Sequence, residues 1–211
     1  MNPYDIVTDF ESVVAEYTGA PYAIAIDSAT NGIFLCCKYW MYENQIIECP
    51  AHTYPSVPMS ILHAGGIVKF VDYKWQGIYQ LSPLGIYDAA KRFTSNMFPM
   101  ASNDRALCLS FHFKKRLALG KGGMILTNNE LATKWFKKAR YEGREGKPLL
   151  EEKIDMLGWN MYLQPSVAAY GLLLMTNMPK NNPDLIEIPN YPDCRKHPIF
   201  QQMAREGCVI L

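Results

Sequence analysis

No apolar run in these 211 residues is long enough to cross a bilayer. The longest, Val167–Met175, falls well short of the roughly 20 residues a spanning helix needs. An excess of charge of one sign is also lacking: 21 Lys and Arg against 20 Asp and Glu leave a net charge of +1. That balance gives no electrostatic ground for a nucleic-acid partner or for an acidic membrane surface. The six cysteines (Cys36, Cys37, Cys49, Cys108, Cys194 and Cys208) have neither the paired spacing of a metal site nor the framework of a secreted scaffold. No metal is therefore expected, and thiols lying in or beside apolar stretches behave as small hydrophobes. No Asn-x-Ser/Thr acceptor occurs, and Met1-Asn-Pro-Tyr-Asp5 is polar and turn-like rather than signal-like. These absences point to a cytoplasmic protein. With no internal repeat and no low-complexity tract, one sizeable domain with at most a small appendage is expected.

What is present is a repeated strand, turn and helix. Apolar positions at Ile6, Phe10, Val13, Val14 and Tyr17 predict a helix over Tyr4–Tyr17, ended by Gly19-Ala-Pro21. Tyr22–Ile26 is a short apolar strand, and Asp27-Ser-Ala-Thr-Asn-Gly32 turns the chain into a second helix reaching about Tyr42. Such a turn presents backbone N–H groups to an anion, and a plain helix cap by Asp27 or Ser28 accounts for the same residues. Gln45–Glu48 predicts a strand, followed by Pro50-Ala-His-Thr-Tyr54, in which Tyr54 also reads as an ordinary packing aromatic. A helix over Val57–His63, a Gly65-Gly66 stop and a strand over Ile67–Val71 complete the βαβ rhythm of an α/β fold. Gly85–Ala90 predicts a strand that delivers Asp88 to the carboxyl-terminal edge of the sheet, where ligands gather. A helix N-cap is the other reading of Asp88. Two more buried strands, Ala106–Leu109 and Met124–Thr127, precede a basic amphipathic helix (Glu130–Tyr141), a charged loop and an apolar helix ending at Met175. Prolines at 179, 183, 189, 192 and 198 then predict an extended arm without long regular structure.

Between the two buried strands stands Ser110-Phe-His-Phe-Lys-Lys-Arg-Leu-Ala-Leu-Gly-Lys-Gly-Gly123. It holds a hydroxyl, an imidazole, three adjacent cations and a glycine-rich turn. A polar connection pinned between buried strands is where an α/β protein places chemistry, although a Lys-Lys-Arg run alone reads as a solvated loop. The stretch resembles the lysine motif of the DegT/DnrJ/StrS family of sugar aminotransferases, which use pyridoxal 5'-phosphate (PLP). There Ser-Phe-His is followed two residues on by the Schiff-base lysine, and then by a Gly-Glu-Gly-Gly turn. Counting forward from Ser110 and backward from Gly120 both reach Lys115 rather than Lys114.

The resemblance runs from about Asn2 to Met175 and implies both a fold and a site. The fold is a three-layer α/β/α arrangement with a mixed, mostly parallel sheet, like the large domain of a fold-type I PLP-dependent aminotransferase. Residues 1–178 would form it, internally shortened near 73–87, with 179–211 a proline-rich arm left from the small domain. Ser28-Ala-Thr30 stands for the family's phosphate turn, so Ser28, Ala29, Thr30 and Ser110 are the implied phosphate contacts. Tyr54 is the implied ring on the pyridine, Asp88 of Asp88-Ala-Ala90 the partner of the pyridine nitrogen, and Lys115 the imine lysine and acid/base group. Asn160 of Gly158-Trp-Asn160 would reach the phosphate of the partner subunit's cofactor, which implies a homodimer with sites completed across the interface. Three positions depart from the pattern. Lys91 stands where a glutamine or histidine meets the cofactor's phenolic oxygen, Lys121 replaces a glutamate, and Tyr162 replaces an arginine. Only Tyr73–Tyr87 separates the strand ending at Val71-Asp72 from Asp88, where relatives carry a complete extra strand and helix. The implied activity moves an amino group from an amino-acid donor such as glutamate to a nucleotide-linked keto-sugar substrate. A non-catalytic homodimer acting as a binding or regulatory subunit is the alternative. A nucleic-acid loop at Phe111–Arg116 finds no support in the near-neutral charge.

Overall fold

The central strands are apolar at nearly every position because both of their faces are covered. The computed structural model describes residues 5–98, 106–186 and 191–211. In chain order these form α1 (Asp5–Thr18), β1 (Tyr22–Ile26), α2 (Ala29–Trp40), β2 (Ile46–Pro50), α3 (Ser56–His63) and β3 (Ile67–Val71). There follow β4 (Tyr79–Leu81), β5 (Ile86–Asp88), β6 (Ala106–Ser110), β7 (Gly123–Thr127), α4 (Glu130–Ala139), α5 (Pro165–Met175), α6 (Pro198–Arg205) and β8 (Val209–Ile210).

Side chains alternate across each strand, so successive residues enter opposite cores. Ala23, Ala25, Leu107 and Leu109 meet Phe10 of α1 and Ala168 of α5 on one face. Ile24, Ile26, Cys108 and Ile125 meet α2, α3, α4 and α6 on the other, through Ile33, Ile61, Phe136 and Phe200. Each fully buried Phe or Ile contributes roughly 1.5–3 kcal/mol, and the result is three layers, α/β/α. The strands run in the order β1-β7-β6-β5-β4 and β2-β3-β8. The Glu48 N–H donates to the Ser82 carbonyl at 2.7 Å and joins β2 to the end of β4. Followed pair by pair, six of the eight described strands run one way, with β4 and β7 reversed. The sheet is mixed and mostly parallel, as expected.

Most element boundaries fall within two residues of the expected ones, and α2 stops at Trp40 rather than near Tyr42. Tyr4, the expected start of the first helix, lies outside the described residues. The short segment 73–87 builds β4, which turns back on β5 as an antiparallel pair and fills the slot between β2 and β5.

The carboxyl-terminal arm departs from expectation. Pro189 lies outside the described residues, and the rest of the arm is irregular only as far as Asp193. From Cys194 on, a short 3-10 turn, α6 and β8 pack against the sheet, burying Phe200 and Val209 and pairing Val209 with Val68. Pro198 sits in the first turn of α6, where its missing N–H costs no helix bond and its fixed φ suits the helix. Here proline starts a helix rather than forbidding one. Among the described residues no helix is long and apolar enough to cross a membrane.

Candidate active site

The carboxyl-terminal ends of β1, β5 and β6 open on one cleft of about 600 Å³. At the first of them the chain leaves β1 and enters α2. Ser28 caps the helix, its Oγ accepting from the Asn31 N–H at 3.2 Å. The capping and anion readings of this turn are therefore compatible. Ala29 and Thr30 lie in the first helical turn, where backbone N–H groups have no intrahelical acceptor, and both face the cleft. The Thr30 hydroxyl bonds Ser56 Oγ (2.8 Å), and Ser110, the last residue of β6, adds a further hydroxyl to the same wall.

Asp88 ends β5 and is 6% exposed. It caps no helix. Its Oδ1 accepts from the Ala90 N–H at 2.8 Å within a turn, and its Oδ2 accepts from the Tyr79 hydroxyl at 2.7 Å. Burial raises the carboxyl above its usual pKa, while these two donors and the charges of Lys115 and Lys91 pull it back. Burial and the neighbouring Asp88 push the Tyr79 phenol well up, so it acts as a neutral donor.

Of the three adjacent cations, Lys115 alone is half-buried; Lys114 and Arg116 are exposed. The Lys115 N–H donates to the His112 carbonyl (2.8 Å) in a tight turn, and Lys115 lines the cleft with Lys114. Arg116 instead donates to the Pro183 carbonyl at 2.7 and 3.1 Å. Lys91 is buried against two aromatic rings, its Nζ 4.8 Å from the Trp75 centroid and 4.4 Å from that of Tyr191. Tyr54 stands at the mouth, 57% exposed and edge-on to Tyr191. Lys121 pairs with Asp27 at 3.3 Å, beside the α2 turn. Asn160 does not line this cleft. It is exposed and donates to Glu142 Oε1 at 2.6 Å, while Tyr162 packs edge-on against Tyr141. The cleft thus gathers Ser28, Ala29, Thr30, Tyr54, Asp88, Lys91, Ser110 and Lys115.

Three side chains of this site, Tyr79, Trp75 and Tyr191, were not anticipated. The alternation Tyr79-Gln-Leu81 before Ser82-Pro83 is the one strand signal that could have found the first. Asp184 was missed as well. Its carboxylate takes two hydrogen bonds from Arg92 (2.8 and 2.7 Å), the next residue offers its N–H to the Lys91 carbonyl (2.9 Å), and the preceding Pro183 accepts from Arg116. Three consecutive arm residues therefore tie the turn after Asp88 to the loop that carries Lys115. Asp184→Ala is expected to cost about 1–2 kcal/mol and lower the melting temperature by roughly 3–6 °C. Arg92 holds the Asp184 carboxyl below its usual pKa. The deficit should therefore stay constant above the unfolded value of about 3.9 and close as pH falls through the depressed one. Thermal melts at several pH values check both.

The sequence model of the DegT/DnrJ/EryC1/StrS aminotransferase family matches residues 1–103 and 86–188. A curated UDP-4-amino-4,6-dideoxy-N-acetyl-beta-L-altrosamine transaminase from Campylobacter jejuni is 23% identical, over 92% of this chain and 63% of the relative. The chain thus spans about three fifths of that relative's length. Among solved structures, a sugar aminotransferase from Micromonospora echinospora superposes with a TM-score of 0.70 at 15% identity, covering 82% of this chain and 60% of its own. NtdA from Bacillus subtilis, solved with bound cofactor PMP, gives 0.68 at 20% identity, covering 82% and 48%. At these identities the superpositions speak for the fold.

Proposed function

We infer the activity from one premise: this chain belongs to the DegT/DnrJ/EryC1/StrS aminotransferase family. We propose that its cleft binds PLP and moves an amino group from an amino-acid donor such as glutamate to a nucleotide-linked keto-sugar. One observation carries the reading: a buried carboxylate, a half-buried lysine and the amino end of α2 share a single cleft. The donor set fits the cofactor. A phosphate suits the Ala29 and Thr30 amides with the Ser28, Thr30 and Ser110 hydroxyls. A protonated ring nitrogen suits Asp88, and an aldehyde suits the Lys115 amine.

When bound, PLP supplies a ring that withdraws electrons from the substrate carbon. Asp88 holds the ring nitrogen protonated, its own charge supported by Ala90 and Tyr79. Lys115 is the residue whose amine would hold the cofactor covalently through its aldehyde. The same amine would move a proton at the substrate carbon. Tyr54 at the mouth and Lys91 in the wall are further residues that would hold the ring. Asn160, exposed and outside its own cleft, is the residue a homodimer would lend to the partner subunit's phosphate. The name of the Campylobacter relative supports a UDP-linked sugar as substrate. The non-catalytic alternative draws no support from a site that keeps both carboxylate and amine.

Purified protein mixed with PLP is expected to develop the yellow band of bound cofactor, and glutamate to convert it to the pyridoxamine form. A bound cofactor that responds to no amino acid would exclude amino transfer.

A further inference from the structure

We propose that Tyr79, backed by Thr53, is the positioning residue of the Asp88 carboxylate, fixing its orientation and keeping it charged for the ring nitrogen of PLP. The inference rests on the PLP reading and adds to it a residue from the shortened segment. Thr53 Oγ1 lies 2.5 Å from the Tyr79 oxygen, which in turn lies 2.7 Å from Asp88 Oδ2. A phenol has one proton. Tyr79 gives it to an acceptor-only carboxylate, so Thr53 is the donor in the first link. Thr53, Tyr79 and Asp88 are 1%, 4% and 6% exposed, which leaves little room for water to replace a lost link.

Strand register sets this geometry. The pairing of β4 with β5 puts Tyr79 directly opposite Asp88, and Trp75 packs on the Tyr79 ring at 4.5 Å. The segment between β3 and β5 thus supports the carboxylate.

Several other groups face Asp88. Lys91 follows it in the next turn, Lys115 comes from the loop after β6, Cys49 ends near it on β2, and Tyr73 precedes β4. Burial keeps the Cys49 thiol neutral, and the Tyr73 phenol is pushed up to about 12, so the charges facing the carboxylate are the two ammonium groups. Burial opposes ionisation of Asp88, and the Tyr79 proton favours it. Without that hydroxyl the carboxyl moves further up and Oδ2 loses its anchor.

Tyr79→Phe removes the hydroxyl and keeps the ring. Carbon-13 NMR should show Asp88 of the cofactor-free variant titrating at higher pH than in the wild type. PLP affinity, read by fluorescence, should fall roughly tenfold near neutrality. A carboxyl with a raised pKa is ionised only above that value, so the loss should shrink as pH climbs past it. Thr53→Val should shift the Asp88 titration in the same direction by less, and it carries the test if Tyr79→Phe does not fold by circular dichroism. An Asp88 titration unchanged in the folded variants overturns the proposal, as does a loss of affinity equal at every pH. A wild type that binds no PLP at any pH overturns the PLP reading instead, and the NMR titration still decides whether Tyr79 governs Asp88.

Discussion

Lys115→Ala is expected to abolish covalent retention of PLP after borohydride reduction and to lower amino transfer by roughly a thousandfold or more. Borohydride converts the imine to a secondary amine that survives denaturation, so a peptide map reports which nitrogen was joined. Four lysines compete for that assignment, since Lys91, Lys114 and Lys121 line the same cleft. Lys91 is held against Trp75 and Tyr191, and Lys114 and Lys121 are exposed, Lys121 pairing with Asp27. Lys115 alone is half-buried and also close enough to Asp88 to act on its ionisation. The substitution removes a side chain from a loop and should change stability by less than about 1 kcal/mol. Retention that survives Lys115→Ala but vanishes in Lys91→Ala would move the imine to Lys91.

How far this site could be read beforehand depends on where the information lies along the chain. Ser28, Asp88 and Ser110 were legible because each ends or follows an apolar strand, and parallel strands bring their carboxyl ends to one edge. Lys115 was legible only through the spacing of its motif, because a run of three cations has the composition of a solvated loop. Tyr79 was hidden because β4 has three residues, too few for an alternating pattern to stand out. Its partner Asp88 is assigned by hairpin register, which composition does not reveal. The arm was misread for a different reason. Its prolines read as breakers, whereas Pro198 occupies the one helical turn that tolerates proline and Phe200 provides the buried anchor. Tyr191 lines the cleft and Asp184 braces the arm beside it, each through contacts with residues some ninety or more positions away, and such contacts leave no local trace.

Gly123→Ala is the second substitution expected to have a large effect, although Gly123 does not line the cleft. It opens β7 and pairs with Ile26 on one side and Ser110 on the other, between the two strands that lead to the proposed phosphate contacts. A Cβ there would lie 2.5 Å from the Ser28 carbonyl carbon, 2.6 Å from the Ala29 nitrogen and 2.9 Å from the Leu109 oxygen. All three are backbone atoms, so no rotamer change relieves the clash. β7 is held by ladders on both sides, and the turn at residues 27–30 must yield instead, taking the Ala29 and Thr30 amides with it. A misplacement of about 1 Å in a positioned site costs on the order of a hundredfold in rate, and PLP affinity should fall with it. Overpacking of this kind also costs about 3 kcal/mol, a fall in melting temperature of roughly 10 °C. Gly120→Ala is the control. At φ +84° a Cβ there meets nothing within 4 Å, so backbone strain of about 1–2 kcal/mol should be its main effect, with PLP affinity nearly unchanged. If affinity instead fell in Gly120→Ala and survived in Gly123→Ala, the phosphate would belong to the glycine-rich loop and not to the amino end of α2.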